Sequence, residues 1–159
     1  MPWLRVETMF GPMILEGEQA LTHLYLPNAL PDRKGRGAET PLLVRAREAL
    51  LSYLAGERQG LDLPLAPVGT DFQRSVWTAL KAIPYGQTRT YGEIAAAIGR
   101  PKAVRAVGQA NHHNPLPIFL PCHRVVGSGG TLTGYAGGLE MKKALLALES
   151  GKERFSTKP

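Results

Sequence analysis

The stretch Thr90-Tyr-Gly-Glu-Ile-Ala-Ala-Ala-Ile-Gly-Arg-Pro-Lys-Ala-Val-Arg-Ala-Val-Gly-Gln-Ala110 decides the architecture of the second half of the chain. Thr90 and Glu93 stand at the spacing of a capping box, in which each side chain accepts a hydrogen bond from the other residue's backbone N–H. A helix therefore starts here, with Tyr91, Ile94 and Ile98 on one face. Gly99-Arg-Pro101 breaks it, and Pro101 is suited to the first turn of a second helix running through Ala110. Two short helices joined by a tight glycine-containing turn make the pattern of a helix-turn-helix. At about 100° per residue, the second helix puts Val104, Val107 and Gly108 inward. Lys102, Arg105, Gln109, Ala103, Ala106 and Ala110 then face outward. A solvated face would carry long polar side chains where these alanines stand, so positive charge among methyl groups points to a large partner approaching the backbone closely.

Upstream, Thr70-Asp-Phe-Gln73 is a second capping box, and Phe72, Val76, Leu80 and Ile83 form an apolar stripe that Pro84 ends. Pro64-Leu-Ala-Pro67 is stiff and lacks two backbone donors, so it marks a boundary between domains 1–66 and 67–159. In the first domain the apolar runs Trp3 to Met9, Pro12 to Leu15 and Leu21 to Leu26 read as a small meander of strands. The segment Pro27 to Glu39, with Asp32, Arg33, Lys34 and Arg36, reads as a mobile surface loop. Thr40 caps a helix with Pro41 in its first turn; Leu43, Ala46, Leu50 and Leu54 recur at helical spacing before Gly56. The expected fold is an α/β N-terminal domain, a small antiparallel sheet plus a helix, followed by a mostly α domain. Downstream, Val125 to Tyr135 is rich in glycine and reads as a hairpin, the wing of a winged helix-turn-helix. Leu139 to Glu149 closes the chain as a helix, with Met141, Leu145 and Leu148 inward and Lys142 and Lys143 outward as solvated surface.

The 159 residues are 43% hydrophobic and 20% charged, enough apolar content for one or two small cores, which excludes general disorder. No run nears the roughly 18 apolar residues of a membrane span, and Met1 to Phe10 lacks the features of a secretory signal. A cytoplasmic protein with no membrane partner is expected. The formal net charge of +6 is uneven: residues 1–66 hold seven Lys/Arg against eight Asp/Glu, and residues 67–159 hold twelve against five. A polyanion is therefore the natural partner of the second half.

The single cysteine, Cys122, excludes an intrachain disulfide and a cysteine-built zinc site. It lies in Asn114-Pro-Leu-Pro-Ile-Phe-Leu-Pro-Cys122-His123-Arg124, where Ile118-Phe-Leu reads as a strand-like run stopped by Pro121. That places the sulfur at the rim of a core, partly desolvated yet reachable. Only the thiolate is nucleophilic, so a basic or positive neighbour is required, and His123 and Arg124 are adjacent. His123 would reach the sulfur through a local turn or one water, and Glu149 or Glu140 would orient the imidazole. The glycines after Cys122 match neither a phosphate-binding loop nor a dinucleotide fingerprint, so no cofactor is indicated.

These residues resemble the O6-alkylguanine-DNA alkyltransferases. The matching text is Phe72-Gln-Arg-Ser-Val-Trp-Thr-Ala-Leu, Ile83-Pro-Tyr-Gly-Gln-Thr, Thr90-Tyr-Gly-Glu-Ile-Ala, Arg105-Ala-Val-Gly, Asn114-Pro, Pro121-Cys-His-Arg-Val, Gly134-Tyr-Ala-Gly-Gly138 and Leu145-Leu-Ala-Leu-Glu149. It spans essentially residues 70–149; the first domain matches only in outline. The resemblance implies a ribonuclease-H-like first domain before a winged helix-turn-helix. It also implies direct, irreversible transfer of an alkyl group, such as methyl, from O6 of guanine to Cys122, once per molecule and without cofactor or metal. The partner is double-stranded DNA containing O6-alkylguanine, with O4-alkylthymine left open, and the protein acts as a monomer. By the same resemblance His123 acts as a base through water, Glu149 orients it, Asn114 ties down the cysteine loop and Tyr91 donates a proton toward the purine N3. Tyr91, Val125, Tyr135 and Ala136 would line the base pocket. Arg105 would fill the vacated base stack, with Lys102, Ala103, Ala106, Gln109, Ala110 and Arg124 also on DNA. A base stacked in a duplex cannot meet a sulfur in a core, so extrusion is required. Some relatives carry a serine at the place of Ala136, so a side-chain hydroxyl contact to O6 is missing here and passes to backbone N–H groups or Tyr91; tolerance of bulky alkyl groups stays open. A DNA-binding module without chemistry and a cysteine hydrolase are the competing classes; the thiol disfavours the first, and nothing beyond the Cys-His pair supports the second.

Overall fold

The computed structural model describes residues 1–151; residues 152–159, the end of the second expected domain, lie outside the described residues. Strands β1 (Trp3–Thr8), β2 (Gly11–Gly17) and β3 (Leu21–Tyr25) form an antiparallel sheet in that order. Register pairs Leu4 with Leu15 and Val6 with Met13, which collects buried side chains on one face. Helix α1 (Pro41–Leu54) covers that face with Leu43, Ala46, Leu50 and Leu54, all buried. Thr40 accepts from the Leu43 N–H, so a local capping bond starts the helix where its spacing predicts. The loop 27–39 is pinned, which corrects the expected mobility. Arg33 pairs with Glu16 at 2.7 Å and lies over the rings of Trp3 and Tyr25. The loop backbone also bonds β1, through Arg5 N–H to Arg36 O and Ala38 N–H to Trp3 O.

The second half contains α2 (Asp71–Lys81), β4 (Arg89–Thr90), α3 (Tyr91–Ala97), α4 (Val104–His112), β5 (Val125–Val126) and α5 (Leu139–Glu149). Both capping boxes are formed, at Thr70 with Gln73 and at Thr90 with Glu93. Helix α4 starts at Val104 rather than Pro101, because Pro101 and Lys102 form a turn and Ala103 caps the helix in a non-helical conformation. Strands β4 and β5 pair in parallel. The glycine-rich stretch is not a hairpin: residues 128–130 make one tight turn, with Gly129 and Gly130 at positive φ, and the Gly127 N–H closes onto Thr131 O at 2.7 Å. Nor is Ile118 to Leu120 a strand. The chain turns there, with Ile118 at φ 74°, and the run is apolar because it is buried, not because it is extended.

One continuous cluster of buried apolar side chains joins the two halves. Strand β3 carries the joint: Leu21 exchanges backbone bonds with Pro64 and Ala66, and the Leu24 N–H bonds Pro115 O, in the loop that leads to Cys122. The sheet thus fixes one end of the cysteine loop. Among the described residues no helix is long and apolar enough to cross a membrane.

Candidate functional site

Cys122 opens a single 3-10 turn, Cys122–Arg124, directly after Pro121. Its thiol is closed inside the protein at 2% exposure, which corrects the expected reachable rim. Residues 116–121 of the approach are buried, so the loop walls in the sulfur. Burial pushes the thiol up to about 11, against smaller lowering effects of the Asn114 side chain and the Lys142 charge. At pH 7 roughly one thiol in ten thousand would then be ionised, so any reaction must remove the proton as it proceeds. Asn114 stitches the loop that carries the sulfur, donating to Leu120 O at 2.8 Å and accepting from Leu116 N–H at 2.9 Å. Asn111, on α4, donates to the Cys122 carbonyl at 3.4 Å.

His123 is fully buried, with Nε2 at 2.7 Å from Glu149 Oε2. Glu149, not Glu140, is therefore the carboxylate beside the imidazole. Arg124 grips the same carboxylate through Nε and Nη2, at 2.8 and 2.9 Å, and the Gly86 N–H adds a bond at 3.1 Å. Tyr53, from α1, donates its hydroxyl to Glu149 Oε2. Burial alone would raise the carboxyl, but the bonds from His123 and Arg124 outweigh it and hold Glu149 at about 2. An ionised Glu149 only accepts, so the proton of a neutral His123 belongs on Nε2 and the lone pair on Nδ1. That Nδ1 is buried with no hydrogen-bond partner among the described residues. Burial lowers the His123 pKa, partly offset by Glu149, which keeps the ring in its neutral, proton-accepting form. Among the described residues no hydrogen bond joins the ring to the thiol directly.

Two lysine and arginine positions differ from expectation. Arg124 does not face outward toward DNA: besides Glu149, it donates to Ile83 O at 2.7 Å and lies over the Tyr85 ring. Lys142 is not solvated surface but fully buried; its Nζ donates to Val125 O at 2.6 Å and lies within 3.4 Å of both oxygens of Thr133. The available signal was its register, since Lys142, Leu145 and Glu149 lie three and seven residues apart and share a helix stripe. Sequence reasoning missed Tyr53 as well. Its hydroxyl falls on the apolar stripe of α1, where a buried tyrosine needs a partner that the helix itself does not offer.

Tyr91, Val125, Tyr135 and Ala136 are the residues expected to line a base pocket. Tyr91 is half-buried and shares a 2.6 Å hydrogen bond with Thr133. Tyr135 is buried beside Cys122, its hydroxyl without a partner among the described residues, and burial pushes its pKa well up. The Ala136 carbonyl accepts from Asn28 of the first half at 2.8 Å. A Cβ at Gly137 would stand 2.8 Å from Met141 Sδ and 2.9 Å from Leu26 Cδ1, so those side chains would have to move aside for any larger residue. The Val125 carbonyl is engaged by Lys142 and its N–H by Cys122 O.

On α4, Arg105, Ala106 and Gln109 are exposed, as is Lys102 in the preceding turn, while Ala103 is half-buried. Arg105 and Lys102 have no side-chain partner among the described residues. Ala110 is buried, a correction, with Trp77 Nε1 donating to its carbonyl at 2.9 Å; Val104, expected inward, is exposed. At about 100° per residue Ala110 lies roughly 60° and Asn111 roughly 40° round the helix from Val107, so these three form the inner stripe, while Val104 stands exposed in the first turn. Among the described residues no group of three or more His, Cys, Asp or Glu is placed to hold a metal ion.

Residues 71–151 match the family model described as the DNA-binding domain of 6-O-methylguanine DNA methyltransferase. Over 149 residues the chain is 50% identical to the methylated-DNA–protein-cysteine methyltransferase of Methanosarcina acetivorans, covering 90% of this chain and 94% of the relative. It is also 50% identical over 151 residues to the constitutive methyltransferase of that name in Bacillus subtilis, covering 90% and 92%. The crystal structure of Mycobacterium tuberculosis OGT in complex with DNA is similar with a TM-score of 0.87 at 44% identity, over 97% of this chain and 96% of that one.

Proposed function

Because the chain belongs to the 6-O-methylguanine DNA methyltransferase family, we propose the following roles for its own residues in repair. It is a methyltransferase that acts on DNA containing O6-alkylguanine and moves the alkyl group to a cysteine. The observation that carries the assignment is that the sequence holds one cysteine, so Cys122 is the acceptor.

The proton leaves the thiol for His123 Nδ1 through one water, as the sulfur attacks the alkyl carbon and the carbon–O6 bond breaks. The bonding electrons return to the purine, and Tyr91 supplies a proton toward N3, so that guanine leaves close to neutral. Glu149 keeps the His123 proton on Nε2, and Asn114 holds the loop behind the sulfur. Lys142, by tying Val125 to Thr133, keeps that wall of the base pocket in place beside Tyr135 and Ala136. The product thioether is stable and nothing in the site hydrolyses it, so each molecule reacts once.

A walled-in sulfur meets only a base turned out of the duplex. Helices α3 and α4 serve as the helix-turn-helix and the loop after β5 as the wing, behind a ribonuclease-H-like first half that ends near residue 66. The small side chains Ala103 and Ala106 let α4 approach a minor groove, Lys102 and Gln109 meet the backbone, and Arg105 fills the vacated stack. The protein works in the cytoplasm as a monomer; alkylated thymine is a second substrate to be tested in the same assay.

Incubation with an oligonucleotide bearing O6-methylguanine, followed by intact mass measurement, should show one methylene gained per protein, on the Cys122 peptide. Cys122→Ser should retain DNA binding and gain no mass. An unchanged mass in the parent protein would leave a DNA-binding module, and turnover beyond one per molecule would indicate a hydrolase.

A further inference from the structure

Helix α1 belongs to the half of the chain that carries no nucleophile and no DNA-facing helix, yet Tyr53 reaches from it into the centre of the Glu149 cluster. The Tyr53 hydroxyl donates to Glu149 Oε2 and stands 3.3 Å from His123 Nε2. Its ring is fully buried and packs edge-on against Tyr85. Plain packing would be met by phenylalanine; the hydroxyl is placed where it competes with His123 for one carboxylate oxygen.

We propose that Tyr53 is a positioning residue for the alkyl transfer, through which the first half of the chain holds Glu149 and, by way of it, sets how readily His123 accepts the thiol proton. The inference rests on the reaction assigned above. Oε2 receives Tyr53, His123 and Arg124 at once. Each donor withdraws electron density, so the oxygen attracts an imidazolium less strongly than a carboxylate with one donor fewer. The groups facing His123 are Glu149 and Lys142 on α5, Tyr53 on α1, and Arg124 and Cys122 on its own turn; Tyr85 faces Tyr53 from the α2–β4 loop. Lys142 and Arg124 already disfavour a charged His123, and burial acts the same way. Tyr53 adds to them by neutralising part of the one group that would favour charge. The ring therefore stays neutral and ready as a base to lower pH than Glu149 alone would permit. In Tyr53→Phe, Oε2 keeps two donors, the imidazolium gains stability and His123 becomes more basic.

The test is the single-turnover transfer rate at saturating modified oligonucleotide, measured across the acid range for the parent and Tyr53→Phe below the melting temperature of both. The acid limb of the variant should move up by roughly 0.5 to 1 pH unit, which slows transfer roughly three- to tenfold below the limb. Loss of stability alone would not move the limb. A limb that stays in place or moves down overturns the proposal. A 3-fluorotyrosine at position 53 keeps the ring while strengthening the donor, so it should shift the limb the opposite way; if Tyr53→Phe does not fold, an unmoved limb in this variant is equally decisive. The 15N-detected titration of the His123 ring reads the same shift without any transfer. A parent protein that gains no mass while its His123 titration still responds would sink the assigned reaction and leave the Tyr53 coupling standing.

Discussion

The Glu149 cluster and the outer face of α4 use charge in opposite ways. Around Glu149, Arg124 and Tyr53 are buried and bonded to one carboxylate, and His123 spends one ring nitrogen on it and keeps the other open. On α4, Arg105 and the nearby Lys102 are exposed and unpaired among the described residues. A proton relay needs its members held in one geometry before the substrate arrives, and in a dry site any charge left unpaired costs several kcal/mol. A DNA-facing surface needs the reverse, because cations already paired within the protein would have few contacts left for phosphates or a base stack.

This contrast can be broken at either end. Glu149→Gln should have the largest effect: Arg124 keeps its burial and loses its counter-charge, costing about 3 kcal/mol of stability in chemical denaturation, along with transfer activity. If Glu149→Gln unfolds like the parent protein, the cluster is not what holds the core junction. Arg105→Ala should leave stability unchanged while slowing repair in duplex DNA by about tenfold or more, with little change in reaction with a free modified base; equal losses on both substrates would remove its role in extrusion.

The buried thiol gives the next effect. Its folded-state pKa of about 11 lies above the ordinary value of 9.0, so the neutral form is favoured by folding. The resulting stability is fully present below pH 9 and is lost as pH rises toward 11, an alkaline loss of about 2 to 3 kcal/mol. Cys122→Ser should lack that part of the alkaline decline, and identical curves would show that the thiol is open to solvent. Smallest is Lys102→Ala, which should reduce the salt dependence of DNA binding by the equivalent of about one phosphate contact and leave sequence preference alone; an unchanged slope would place Lys102 off the interface.

Much of the fold was legible because it is written in short-range signals. Thr40, Thr70 and Thr90 each start a helix by bonding a backbone N–H three residues on, and that spacing is visible in the sequence. The register of Lys142 was harder to see, since neighbouring lysines on an amphipathic helix normally share the solvent side. Burial of Ala110 follows from its place three residues after Val107 on one face of α4, and Pro101 suggested a helix start three residues too early.

The sequence by itself determined a lone thiol beside a histidine, a basic second half and the order of helices, because these depend on residue identity and on hydrogen bonds spanning a few positions. Only the tertiary structure decided that Tyr53 meets Glu149 across 96 residues and that Arg124 turns inward to the same carboxylate. Such pairings follow from how the sheet, α1 and α5 pack around one core, where a buried charge must find whatever donors the fold brings within reach.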